Sequence, residues 1–330
     1  MLNITGRNVN EVFASALIHF KNTPLLESKP RGERRLQYPY PVASHYLNPR
    51  ERILFHSVRD ANPFFHFMEA LWIIAGRSDV QWLSQWLPSI ADYSDDGRYF
   101  HGAYGMRLRR DNQLDEVVKR LMTEPDTTRA VLQIYDHMED KNYRGKDMPC
   151  NCMVFLGIHD NKLNLTVSNR SNDMIWGAYG ANVVQFSMLQ EYIAGLVGVQ
   201  VGWYIQFSNN AHIYPDKETT RRVLSHNGHL LDDDLYAEGV VAPYPMWQGD
   251  GYSDWHRDLD YFIKGSEGPY KTPFFAKVAL PMQAAHQLYR QREYNDAIDL
   301  CNLIEASDWR VACRHWLMRR LVNAENKGLA

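Results

Sequence analysis

Little in this chain suits a disulfide scaffold, a membrane or a nucleic-acid duplex. Its 330 residues hold only four cysteines, Cys150, Cys152, Cys301 and Cys313. These are too few and too unevenly spread to staple a small secreted fold, so reduced thiols are expected. No apolar run reaches about 18 residues, the length a membrane-spanning helix needs. The start, Met1 to Phe13, lacks the charged-then-apolar pattern of a secretory signal, so a cytoplasmic protein is expected, with no membrane partner. A strong excess of one charge is missing too. The net charge of -3 leaves no basic face for nucleic acid. A phosphate on a small molecule needs only a few local cations. Repeats and low-complexity stretches are absent, and the short acidic run Asp232-Asp233-Asp234 reads as a solvated loop.

What is present is a large apolar content, 45% of residues, enough for a sizeable core. Residues 51–76 carry apolar side chains at helical spacing up to Gly76, which predicts a long buried helix with Pro63 as its point of interruption. Residues 129–136, 152–159 and 162–170 are short runs rich in Val, Ile and Leu. The last two are separated by Asp160-Asn161, a hairpin-like turn, which predicts adjacent strands. Helical spacing returns at 181–197, a strand follows from 199, and 274–322 is helical with stops near Arg292-Glu293 and Ser307-Asp308.

The chemistry concentrates between Met148 and Tyr214. Cys150 follows a proline and precedes a strand, so its sulfur is expected at a strand mouth. By residue type alone a lone cysteine is more often an inert buried thiol. Arg170 on a neighbouring strand changes that balance, because a guanidinium both favours a thiolate and binds an anion. Cys150 and Cys152 form a C-x-C pair, but no further Cys or His cluster completes four ligands, and no metal is expected. Other readings stay open for each polar residue. Glu69 could be a buried carboxylate paired for structure. Asp173 could cap the following helix, and His212 and Tyr214 could be a packed strand pair.

The ordered set resembles the thymidylate synthase family. Pro149-Cys150 with Arg170-Ser171 and Asp173 is similar to the nucleophile and phosphate segment of the synthases and of the phage nucleotide hydroxymethylases related to them. Met68-Glu69-Ala70-Leu71-Trp72, closing at Gly76, resembles the helix whose glutamate orders water and relays protons. Tyr104 in His101-Gly102-Ala103-Tyr104-Gly105 resembles the tyrosine that assists proton removal at C5. Glu124 to Arg129 resembles the segment that sends arginines to the partner subunit's phosphate, and His212 and Tyr214 resemble the pair that holds the sugar. The resemblance implies an α+β fold, a large mixed β-sheet flanked by helices, in a homodimer with a shared phosphate site. Residues 1–270 are expected to form the catalytic domain and 271–330 a helical C-terminal extension packed on it.

The implied reaction is covalent catalysis with 5,10-methylenetetrahydrofolate as co-substrate. Cys150 adds to C6 of a pyrimidine deoxynucleotide; Glu69, Tyr104 and Asp173 are the other catalytic candidates, with Glu69 and Asp173 also facing the folate. Arg31, Arg129, Arg170, Ser171, Asn182, His212 and Tyr214 are expected to bind the nucleotide. Departures from the synthase pattern bear on the outcome. Asn151 stands where synthases have histidine. The segment that supplies shielding tryptophans aligns with Ile90-Ala91-Asp92-Tyr93-Ser94, and a smaller residue admits water. The C-terminal region ends in Asn323 to Ala330 in place of the short apolar tail of synthases. Hydroxymethylation is therefore favoured, with methylation by a true synthase and an inactive nucleotide-binding relative as alternatives. The base is open. Counting from Gly177 puts Ala181 at the base-reading position, whereas a one-residue bulge would bring Asn182 inward and favour dUMP over dCMP. Thr128 replaces one phosphate arginine, for which Arg34 or Arg35 is the expected substitute.

Overall fold

The computed structural model describes residues 1–226, 234–249, 251–266 and 268–328, and the side chain of Arg31 lies outside the description. Among the described residues there are ten strands: β1 (Leu2–Gly6), β2 (Leu26–Ser28), β3 (Arg35–Gln37), β4 (Val42–Tyr46), β5 (Val131–Gln133), β6 (Asn151–His159), β7 (Lys162–Asn169), β8 (Asn172–Asp173), β9 (Gln200–Ser208) and β10 (Ala211–Ile213). Six of them form a sheet in the order β1-β4-β9-β7-β6-β5, and the rest a small sheet in the order β2-β3-β10-β8. The large sheet is mixed: β1 and β4 run parallel, as do β7 and β9, while the remaining neighbours are antiparallel. Helices flank it, which is the α+β arrangement expected from the resemblance. The β6–β7 hairpin turns at Asp160 and Asn161, both at positive φ (48° and 58°), the geometry of a tight two-residue hairpin turn.

Alternation along the strands assigns two unlike faces. Leu163, Leu165 and Val167 of β7, Tyr204 of β9 and Val42 and Tyr46 of β4 point inward and are buried. The helix Asn182–Val197 packs on this face against β7 and β9, and the helix Pro63–Ile74 packs on that helix. The opposite face presents Met153, Phe155 and Trp203, with Phe155 41% and Trp203 36% exposed.

The helix at Pro63 is shorter than the spacing of 51–76 predicts. Pro63 starts it instead of interrupting it, because a proline at the first helical position needs no N–H donor and already has the right φ. Asn62 caps the start, accepting from Phe65 N at 3.1 Å. The preceding residues form irregular chain with a turn at 57–59 and are tied elsewhere, with Asn10 Nδ2 donating to Ile53 O at 3.1 Å and Asn10 Oδ1 accepting from Phe55 N at 3.0 Å. Eleven of the helix's twelve residues are buried, Glu69 being the exception.

Burial on all sides is explained by the C-terminal helices Leu280–Arg290, Tyr294–Leu300 and Ser307–Glu325. Phe64 meets Trp316 edge-on at 5.7 Å between ring centroids, and Phe67 meets Trp309 at 4.9 Å, contacts worth about 0.5–1.5 kcal/mol each beyond their area. Asp60 accepts from Arg319 and Arg320 at 2.8 and 2.7 Å. One loop expectation is corrected: Asp234 is buried and accepts from Asn8 Nδ2 at 2.9 Å, while Asp232 and Asp233 lie outside the described residues. Among the described residues no helix is long and apolar enough to cross a membrane.

Candidate active site

One wall of the site is made of strand ends. Cys150 immediately precedes β6, and the β6–β7 register pairs Asn151 with Asn169, so that Arg170 N donates to Cys150 O at 3.0 Å. The Arg170 guanidinium is aimed by two backbone carbonyls, with Nε donating to Pro149 O at 2.8 Å and Nη2 to Met148 O at 2.9 Å. This leaves Nη2 3.8 Å from Cys150 Sγ. A half-buried thiol against an exposed cation is the setting of a thiolate nucleophile. Ser171 follows, half-buried.

Parallel pairing of β8 and β10 sets Asp173 beside His212. Asp173 does cap the turn after it, its Oδ1 accepting from Ile175 N and Trp176 N at 2.8 and 3.3 Å. Burial nevertheless pushes its carboxyl up to about 6, against those donors and the nearby charge of Arg59. His212 is buried, and burial pulls its pKa down to about 4, so the ring is neutral near pH 7. Its Nδ1 lies 3.0 Å from Asn210 Oδ1 and 3.3 Å from Asn210 O. Both are acceptors, so Nδ1 carries the proton and Nε2 is left as an acceptor. Tyr214 packs edge-on against this ring at 5.1 Å.

The other wall is helical. Glu69 is half-buried, but its Oε2 is shut off from solvent without a hydrogen-bond partner. Burial pushes this carboxyl up to about 7; a hydrogen bond with Gln185 opposes the rise and the charge of Asp147 adds to it. Tyr104 opens the helix Tyr104–Arg109. Its phenol is held well above the ordinary value by burial and by the charges of Cys150 and Asp147. The two helices meet at Gly105, where any Cβ would come within 2.3 Å of Ile73 O. A glycine is therefore required for Tyr104 to sit this close to the Glu69 helix.

A bulge decides whether Ala181 or Asn182 turns inward. Residues Met174–Ala181 form a wide π-type turn that runs straight into the helix Asn182–Val197. The extra residue leaves Ala181 half-buried and carries Asn182 inward, where it is buried and its Nδ2 donates to Asn172 Oδ1 at 3.1 Å.

The structure does not gather every expected residue. Arg129 is exposed two residues before β5, and β5 pairs Val131 with Phe155 of β6. That puts it roughly 20–25 Å along the sheet from Cys150, at about 3.3 Å per residue. Arg34 is occupied by Glu27 at 3.2 Å and Asp216 at 3.6 Å. Arg35, by contrast, bonds only to the neutral Ser28 Oγ and Gln37 Oε1, both at 3.3 Å. Arg31 begins no contact that can be described, since its side chain lies outside the described residues.

Two residues escaped the sequence reading, Asp147 and Arg59. Asp147 lies in the wall near Glu69 and Tyr104, its Oδ2 accepting from Gly102 N at 2.7 Å. Arg59 is buried, donates from Nε to Ile175 O at 2.6 Å, and stacks over the exposed Trp176 at 4.5 Å. The only sequence signal for Asp147 was its place three residues before Cys150; Arg59 had no local signal, because its neighbour Ile175 is remote in sequence.

Comparison with known proteins agrees with this architecture. The thymidylate synthase profile matches residues 57–229, a span that takes in every expected site residue except Arg31. The deoxyuridylate hydroxymethyltransferase of Pseudomonas phage M6 is 38% identical over 337 residues, 96% of this chain and 94% of that relative. The chain belongs to the thymidylate synthase family. Another relative of this thymidylate synthase family member, the deoxyuridylate hydroxymethyltransferase of Bacillus phage SP01, is 41% identical over 201 residues, 57% of this chain and 52% of that relative. The solved structure of thermostable thymidylate synthase A from Bacillus subtilis matches with a TM-score of 0.54 at 22% identity, covering 66% of this chain and 84% of that one. At that identity the likeness is one of fold.

Proposed function

We propose that this protein is a one-carbon transferase that hydroxymethylates C5 of a pyrimidine deoxynucleoside monophosphate, dUMP in preference to dCMP, in the cytoplasm of a phage-infected host. The observation that carries the reading is Cys150 Sγ held 3.8 Å from Arg170 Nη2, with Tyr104 near enough to feel the charges of Cys150 and Glu69. The name carried by the M6 relative supports the same reaction.

Cys150 Sγ adds to C6 of the ring, and Arg170 steadies the thiolate and faces the phosphate. Glu69, with a pKa near 7, is suited to take and return a proton at neutral pH. Tyr104, kept as a neutral phenol, assists removal of the C5 proton. His212 Nε2 and the Tyr214 hydroxyl bind the sugar, with Ser171 beside the phosphate. Asp173 and the exposed indole of Trp176, backed by Arg59, fit a flat hydrogen-bonding heterocycle such as the pterin of a folate. Bound 5,10-methylenetetrahydrofolate supplies the one-carbon unit. Water as the final nucleophile is supported by the missing shield, since half-buried Ile90 and exposed Tyr93 stand in the segment that carries tryptophans in synthases.

The nucleotide phosphate is shared with a second copy. Arg129 is too far from Cys150 of its own chain, and the uncovered apolar face of the large sheet, with Met153, Phe155 and Trp203, suits back-to-back pairing of two sheets. Arg35 substitutes for the arginine missing at Thr128, and Arg31 completes the cluster.

Product analysis tests the reaction. With methylenetetrahydrofolate, dUMP is expected to give the 5-hydroxymethyl nucleotide with release of tetrahydrofolate. A methylated product formed with dihydrofolate overturns the hydroxymethylase reading. With 5-fluoro-dUMP a covalent adduct on Cys150 is expected by mass spectrometry, and a folded protein without adduct would be a binding module.

A further inference from the structure

Behind the base-reading position runs a chain of buried side-chain amides that the bond-making steps do not use. Asn182 Nδ2 donates to Asn172 Oδ1 at 3.1 Å; Asn172 Nδ2 donates to Gln206 Oε1 at 2.9 Å and to Ser208 Oγ at 3.1 Å; Gln206 Nε2 donates to the backbone carbonyl of Ala178 at 3.0 Å. Asn172, Asn182 and Gln206 are all buried. The last link decides the direction of the rest, because a carbonyl oxygen can only accept. Gln206 must turn its amino group to Ala178 and so its oxygen to Asn172. Asn172 must answer with its amino group, which turns its own oxygen to Asn182. Asn182 must then also answer with its amino group. Reversing any one amide would bring oxygen against oxygen or N–H against N–H in a space without water, where unmade hydrogen bonds carry their full desolvation cost.

We propose that this relay, anchored at Ala178 O, fixes Asn182 so that its Oδ1 and its second N–H meet the base as an ordered acceptor–donor pair, which makes Asn172 and Gln206 positioning residues that select uracil over cytosine. The inference rests on the pyrimidine-nucleotide reading of the site. Uracil offers N3–H and O4, a donor and an acceptor; cytosine offers an unprotonated N3 and a 4-amino group, the reverse order. A carboxamide free to turn end over end serves either base. One locked by the relay serves uracil and sets an N–H against cytosine's amino group and an oxygen against its N3. Gly177 keeps room for the middle link, since a Cβ there would lie 2.7 Å from Asn172 Oδ1 and 3.4 Å from Asn182 Nδ2.

Equilibrium binding of dUMP and dCMP to the full chain tests the relay with the near-isosteric variants Asn172→Leu, Asn172→Asp and Gln206→Met. Asn172→Leu and Gln206→Met are expected to lose at least about tenfold of the preference for dUMP, because Asn182 is then free to turn. Asn172→Asp is expected to keep the preference, since one carboxylate oxygen still accepts from Asn182 Nδ2, while its other oxygen now faces Gln206 Oε1 and lowers the thermal stability without changing the ratio. A merely structural role would weaken both nucleotides by the same factor. An unchanged ratio in Asn172→Leu, or an equal loss in Asn172→Asp, overturns the relay alone. Thermal unfolding checks that each variant is folded, and Asn172→Ala replaces the leucine variant where that one does not fold. Wild-type protein that binds neither nucleotide overturns the pyrimidine reading, and the relay with it.

Discussion

The two walls of the cleft hold their polar groups in different ways. On the strand-end wall, Arg170 is fixed by the carbonyls of Met148 and Pro149, Asp173 by two backbone N–H groups, and His212 by Asn210. On the helical wall, Glu69 Oε2 and Gln185 Oε1 are buried without partners. The charged groups and the imidazole of the first wall are already held before any ligand arrives, although the Asn151 side chain and Asn169 Oδ1 behind them are also buried without partners. The second keeps unsatisfied groups in a dry place, a standing cost to the fold that a bound substrate can relieve. Displacement of the Glu69 pKa to about 7 is the mark of that cost. The strand wall therefore fits binding and attack, and the helical wall fits proton movement.

The largest effect expected from breaking this division is at the sulfur. Cys150→Ala should reduce turnover by on the order of 10⁴ or more and abolish the 5-fluoro-dUMP adduct, while direct titration still detects dUMP binding through Arg170 and His212. Loss of nucleotide binding in that variant would show that the strand wall is not organised independently of the thiol.

Glu69→Gln sharpens the contrast from the other side. Turnover should fall by about 10²–10⁴, with nucleotide affinity much less affected. Stability should respond as well. A carboxyl raised to about 7 in the fold contributes stability that is fully present below its unfolded value, near 4.5, and is lost as pH rises through 7. Urea midpoints measured from pH 4 to pH 8 should therefore decline less steeply in Glu69→Gln than in the wild type; Asp173 and Asp308, also raised, keep part of the slope in both. Parallel slopes would mean that Glu69 is solvated in the free protein.

A smaller effect is expected at Arg129, outside both walls of its own chain. Arg129→Ala should raise the KM for dUMP by roughly tenfold. Mixing it with Cys150→Ala chains should restore one site per mixed dimer, built from an intact Cys150 of one chain and an intact Arg129 of the other. No gain on mixing would place Arg129 outside the phosphate site.

Much of the strand-end wall was legible because its parts are close in sequence. A hairpin of fixed register brings Cys150 and Arg170 together, and their separation already implied adjacent strands. The helical extent was less legible at 51–62, where apolar spacing imitates a helix although the residues form irregular chain with a turn, tied to Asn10 at Ile53 and Phe55. Asp234 looked like surface for a similar reason: an acidic run says nothing of Asn8, which reaches it from the far end of the chain. Arg59 gave no sign, since what distinguishes it is burial beside Trp176 and Asp173.

By itself the sequence determined the family and the sheet with its flanking helices, and it named the candidate nucleophile and most of the groups the structure places near it, because these depend on residue type and on spacing along one or two neighbouring elements. Only the tertiary structure decided that Asn182 and not Ala181 turns inward, how a backbone carbonyl at Ala178 orients three amides, and that Arg129 lies far from its own Cys150. Those properties arise from contacts between segments far apart in the chain, where burial and the direction of each hydrogen bond are set by the packed whole.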